Sequence, residues 1–199
     1  MDIAEIPMKN ANKLRDAMSP GRVYRRQDLA GLTTAVDRDL KTLVSSGAVK
    51  KLSGGLYYRP AKNPFGAAPP DDHQLVAAFL KTNDFRLTSY DHYNHLGLGL
   101  TQLYNTHVVY NHKRSGEFTL GGKRFLFRLV PAYPKAGRTT KEYLLVDMLN
   151  NLKHLPDDVA LVRRNLKSHL SRFNRQKVHE SMARYGTPSA RRALNEAYA

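Results

Sequence analysis

Apolar residues in the first sixty positions recur at helical spacing and then give way to two short runs around a double glycine. Over about Thr33–Ser46, Val36, Leu40, Leu43 and Val44 fall at i, i+4, i+7 and i+8, one stripe down a helix. The opposite side carries Thr34, Arg38, Lys41, Thr42 and Ser45. Thr33 is placed to cap this helix, and Gly47 to end it. An earlier helix over about Met8–Met18 offers Leu14, Ala17 and Met18 as a packing face. Between them, Val23-Tyr24 reads as a short strand, and Arg25-Arg26-Gln-Asp-Leu-Ala-Gly-Leu as a short helix with a turn at Gly31. Ala48–Leu52 and Leu56–Arg59 then form a hairpin across Ser53-Gly54-Gly55. This order predicts a winged helix-turn-helix over residues 1–60. Asp37 precedes Lys41 by four residues, an ordinary helical ion pair. Asp39 has no evident role in this pattern.

Residues 61–72 hold three prolines and a glycine within Ala61–Pro70 and read as a partly stiff linker. Residues 73–199 read as an α+β domain with a small antiparallel sheet and C-terminal helices, so the fold class of the whole is α+β. Asp71/Asp72 can cap a helix running to about Thr82, and Arg86–Ser89 forms a short strand or turn. Ser89 can cap a short helix over Tyr90–Leu96. Strand patterns cover Thr106–Asn111, Gly116–Leu120 and Lys123–Val130, with Gly121-Gly122 as a hairpin turn. Thr140 opens an apolar helix over Lys141–Leu152, and amphipathic helices follow at about 157–173, 175–185 and 188–198.

Charge changes the picture. The chain of 199 residues has 32 Lys+Arg against 17 Asp+Glu, a net +15, which favours an anionic partner. The excess is spread: +5 over residues 1–60, +4 over 61–152 and +6 over 153–199. In the winged helix the expected DNA contacts are Arg25, Arg26, Thr33, Thr34, Arg38, Lys41, Thr42, Ser45, Lys50, Lys51 and Arg59. Among these Arg38 has bidentate geometry for a guanine edge, and Lys50, Lys51 and Arg59 line the hairpin rim. Lys113, Arg114, Arg163, Arg164, Lys167, Arg172, Arg175 and Lys177 are further phosphate or partner contacts.

There is no cysteine, which excludes disulfides, thiolate metal sites and a Cys nucleophile, and fits a reducing cytoplasm. The acidic start lacks the pattern of a signal peptide, and no stretch approaches a membrane span. His92 and His95 stand three apart without a third ligand at matching spacing, so no metal site is expected. Phosphate-binding and nucleophile motifs are missing, and neither an enzyme nor a cofactor is expected.

Four further segments are dense in distinctive residues: Arg86-Leu-Thr-Ser-Tyr; Tyr93-Asn-His-Leu-Gly-Leu-Gly-Leu-Thr-Gln-Leu-Tyr104; Val108-Val-Tyr-Asn-His-Lys-Arg114; and Glu142-Tyr-Leu-Leu-Val-Asp-Met-Leu-Asn-Asn-Leu152. With the N-terminal pattern and Asn63-Pro-Phe-Gly-Ala-Ala-Pro-Pro70, the chain resembles the AbiEi family of antitoxins from bacterial type IV toxin–antitoxin (abortive-infection) systems. The resemblance implies a repressor that binds inverted repeats in the double-stranded DNA of its own promoter. It also implies an antitoxin that opposes a nucleotidyltransferase-like toxin without a stable complex. The DNA-binding role carries to Arg25, Arg26, Thr34, Arg38, Lys41, Lys50 and Lys51; no catalytic residue carries over. Composition leaves another function open, a basic module that binds an acidic protein. Charge alone also allows an RNA-binding or nuclease activity.

Overall fold

The computed structural model describes residues 5–64, 66–100, 103–135 and 137–199, with side chains from Lys9 onward. Packing divides them into two units. One runs to Asn83 and includes Glu117–Arg124; the other comprises Asp84–Gly116 and Phe125–Ala199.

In the first unit, α1 (Glu5–Ala17), β1 (Arg22–Arg25), α2 (Arg26–Leu29), α3 (Val36–Ser45), β2 (Lys50–Ser53) and β3 (Leu56–Arg59) follow in order. The strands form an antiparallel sheet, β1-β3-β2. Val23 and Lys50 both stand opposite Tyr58, and a bulge separates Lys51 from Ser53. The helical stripes meet in a core of Ala11, Leu14, Met18, Leu29, Val36, Leu40, Leu43 and Val49. Helix α3 begins later than its sequence pattern suggests, with Ala35 and not Thr33 at the N-cap. The reason is that the Thr33 hydroxyl donates to buried Asp39 (2.5 Å) while accepting from the Ala35 amide (3.3 Å). This closes a local turn ahead of the helix.

The proline segment is more ordered than a linker. Its β4 (Lys62–Asn63) pairs antiparallel with β5 (Gly66–Ala67), and the Ala68 amide donates to the Ala61 carbonyl (2.9 Å). The Tyr58 hydroxyl donates to the Ala68 and Pro69 carbonyls (2.9 and 3.2 Å), fastening the segment to the sheet. Helix α4 (Asp72–Leu80) follows, capped by Asp71, which accepts from the Gln74 amide (2.8 Å). The hairpin tip counted with this unit is held by the Gly121 amide on the Leu52 carbonyl (3.0 Å) and by Lys123 on Asp72 (2.7 Å).

The second unit contains β6 (Phe85–Thr88), a 3₁₀ segment Tyr90–Leu96 capped by Ser89, and β7 (Thr106–Asn111). With β8 (Gly116–Leu120) and β9 (Lys123–Leu129) the strand order is β6-β7-β9-β8. Helix α5 (Lys141–Asn151) is buried on most sides, and α6 (Val159–His169), α7 (Arg175–Tyr185) and α8 (Pro188–Tyr198) complete the chain. Thr140, Asp158, Asn174 and Thr187 cap these four helices through side-chain oxygens, so each boundary is locally encoded. The α+β class, the small antiparallel sheets and the C-terminal helices agree with the sequence pattern. Among the described residues, no helix is long and apolar enough to cross a membrane.

Candidate nucleic-acid interface

Amphipathicity places the polar side of α3 in solvent because its apolar stripe is consumed by the core. Thr34, Arg38, Lys41 and Ser45 are exposed, and Thr42 is half-buried with its hydroxyl donating to the Arg38 carbonyl (3.1 Å). Arg38 is 55% exposed, and its Nε lies 3.4 Å from Asp39 Oδ1, a loose contact that leaves most of the guanidinium facing water. Asp39, without a role in the sequence pattern, is therefore a buried acceptor joining the turn before α3 to the base of Arg38.

Two expected contacts are engaged inside the fold. Arg25 grips Asp28 through Nε and Nη2 (2.9 and 2.6 Å) as part of a capping box at α2. Arg26 holds Asp37 in the same two-pronged way (2.9 and 2.5 Å), joining α2 to α3. Asp37 thus pairs with Arg26 and not with Lys41, because the helix-to-helix turn brings a planar fork of donors to it. These bonds hold the carboxyls of Asp28 and Asp37 below the ordinary carboxylate range. They also raise Arg25 and Arg26.

On the hairpin, alternation separates the two lysines. Lys51 stands opposite Tyr57, on the side that packs against the α1–α3 core, while Lys50 stands opposite Tyr58 on the other side. Both are exposed. Arg59 is not on the rim: its Nη1 donates to the Arg15 and Met18 carbonyls (2.7 and 2.6 Å). It thereby adds a charged donor to carbonyls at the end of α1, of which Arg15's also accepts from the Met18 amide (3.0 Å).

The second unit carries its expected cations differently. Lys113 and Arg114 are exposed on a turn whose amides both donate to Asn111 Oδ1 (2.8 Å each). Arg163 is paired with Glu196, and the Arg175 guanidinium lies 4.9 Å from the centre of the Tyr198 ring. Arg164, Lys167, Arg172 and Lys177 are exposed.

The segments behind the family resemblance converge in a buried polar cluster. Asp147 accepts from the hydroxyls of Tyr93 (2.8 Å) and Tyr110 (3.0 Å), and Asn151 Nδ2 donates to both tyrosine oxygens (3.0 and 2.9 Å). Arg128 donates to the Tyr90 hydroxyl (2.9 Å) and to Asn151 Oδ1. Burial raises the Asp147 carboxyl to about 6 despite these bonds. Pattern reasoning missed the cluster because its members lie far apart in sequence; the polar Asp147 and Asn151, four apart within an apolar helix, were the available signal. His92 Nδ1 lies 3.3 Å from Thr88 Oγ1. Among the described residues, no group of three His, Asp or Glu is arranged to hold a metal ion. Comparison with family models, curated proteins and solved structures finds no match.

Proposed function

We propose that the first unit is a winged helix-turn-helix that binds double-stranded DNA through α3 and the β2–β3 hairpin. The observation that carries this reading is the state of the charges. Asp28, Asp37 and Asp39 are all engaged within the fold, while Arg38, Lys41, Lys50 and Lys51 point cations at solvent on α3 and the strand that follows. Arg38 reads a base edge from the major groove, and the lysines contact phosphate. Together with the resemblance to AbiEi antitoxins, this supports a cytoplasmic repressor that binds inverted repeats in its own promoter and opposes a nucleotidyltransferase-like toxin.

The test is a fluorescence anisotropy titration with the DNA upstream of the coding sequence and a scrambled duplex. Arg38→Ala lowers specific binding by about 1–3 kcal/mol and leaves scrambled binding nearly unchanged. Equal affinity of the unmodified protein for both duplexes sinks the repressor reading. The exposed cations of α6 and α7 favour a second reading, a basic surface for an acidic partner protein. Capture of the neighbouring gene product without DNA, joined to absence of sequence preference, selects it.

A further inference from the structure

A second basic feature of the first unit lies off the α3 face. An open groove of about 590 Å³ is lined by Arg15, Ser46, Gly47, Lys50, Arg59 and Lys62 among others, with no carboxylate in its wall among the described residues. Arg15 is itself paired with Asp16, whose Oδ1 accepts from Arg15 Nε (2.9 Å). Two constraints build the groove. Strand alternation turns Lys50 to the Tyr58 side of the sheet, away from Lys51. On that side the Tyr58 hydroxyl binds the Ala68 and Pro69 carbonyls, which draws the proline segment back and brings Lys62 into the wall that holds Lys50. Arg59, pinned to the last carbonyls of α1, contributes a fixed charge. Lys50 and Lys62 stay exposed. Among the described residues, no aromatic ring lines the groove to stack on a base. A channel whose described wall is basic fits a polyanionic backbone.

We propose that this groove holds the sugar-phosphate backbone of DNA flanking the segment read by α3, with Lys50 and Lys62 each neutralising a phosphate. The inference rests on the reading of the first unit as DNA-binding. It adds the proline segment, through Lys62, to the interface.

The experiment measures anisotropy over a range of salt for the full-length protein, Lys62→Gln, the double variant Lys50→Gln/Lys62→Gln, and Arg38→Ala. Each is titrated with the upstream duplex and a scrambled one. Each lost phosphate contact lowers the slope of log affinity against log salt by about 0.9, so the double variant loses about 2 on both duplexes. Its specific-to-scrambled ratio is unchanged, and Arg38→Ala behaves in the opposite way. A slope unchanged in the double variant, while the unmodified protein still prefers the upstream duplex, overturns the groove and leaves the α3 reading intact. Loss of that preference in the unmodified protein overturns the α3 reading instead. Inorganic phosphate at constant ionic strength separates the remaining source. If it displaces DNA from the unmodified protein but the double variant keeps the full slope, the groove is a free-phosphate site and the proposal fails.

Discussion

Single buried polar residues organise both units. Asp39 is fully buried and accepts the Thr33 hydroxyl while touching Arg38. Asp39→Ala therefore leaves a hydroxyl without its partner and is expected to lower stability by about 1–3 kcal/mol in a denaturant titration. It also loosens Arg38, so specific DNA binding falls with it. Asp147 makes a prediction of different form. Its carboxyl sits at about 6 in the folded chain against an ordinary 3.8. A folded-state value above the unfolded one stabilises fully below about 4 and loses that stabilisation as pH rises through about 6. His92 and His154 are shifted down, so their contribution has the opposite sign and is lost as pH falls below their ordinary 6.5. The two effects overlap, and comparison with Asp147→Asn separates them. On going from pH 7 to pH 4, wild type is expected to gain on the variant by on the order of 2–3 kcal/mol in melting experiments. Parallel curves would refute the assignment of that carboxyl.

Elements here end where local chemistry ends them. Thr140 was legible as a helix start and begins α5 as a cap, while Asp158, Asn174 and Thr187 cap the three helices that follow. Strand Gly116–Leu120 turns Phe118 and Leu120 inward between exposed neighbours, whereas Thr106–Asn111 is buried over four consecutive residues, Val108–Asn111, as an inner strand of its sheet. The start of α3 was misread because Thr33 is a good capping residue whose hydroxyl is drawn to a buried carboxylate six positions away. Glycines give a paired prediction at this scale. A Cβ at Gly186, which ends α7, would lie 2.6 Å from the Met182 carbonyl oxygen and 2.1 Å from its sulfur, so Gly186→Ala forces the backbone to shift. At Gly31 a Cβ meets nothing within 4 Å and the backbone has no positive φ. Gly31→Ala is therefore expected to be neutral or to stabilise by up to about 1 kcal/mol, and Gly186→Ala to lower the melting temperature clearly. A melting temperature unchanged by Gly186→Ala would contradict that packing.

At the scale of the molecule, charge is broad and its use is selective. The net +15 falls across all three stretches of sequence, yet side-chain geometry divides the cations into two groups. Arg25, Arg26, Arg59 and Arg163 bind carboxylates or helix ends, whereas Arg38, Lys50, Arg164, Lys167 and Lys177 stand exposed. Neutralising Arg164, Lys167 and Lys177 together is expected to flatten the salt dependence of scrambled-duplex binding by about 1 or more, with sequence preference unchanged. An unchanged slope assigns that surface to a protein partner or to solvent. Most of the element order, the apolar stripes and the α+β class were determined by the sequence alone, since these follow from periodicity and neighbours a few residues apart. Tertiary structure decided which arginines are free and where the two lysines of β2 point. It also folded the proline segment back onto the sheet and gathered Tyr93, Tyr110, Asp147 and Asn151 into one cluster. The proline segment's return, the Arg26, Arg59 and Arg163 pairings and the polar cluster depend on partners about ten or more residues away, and such a pairing exists only once packing has brought distant backbone together.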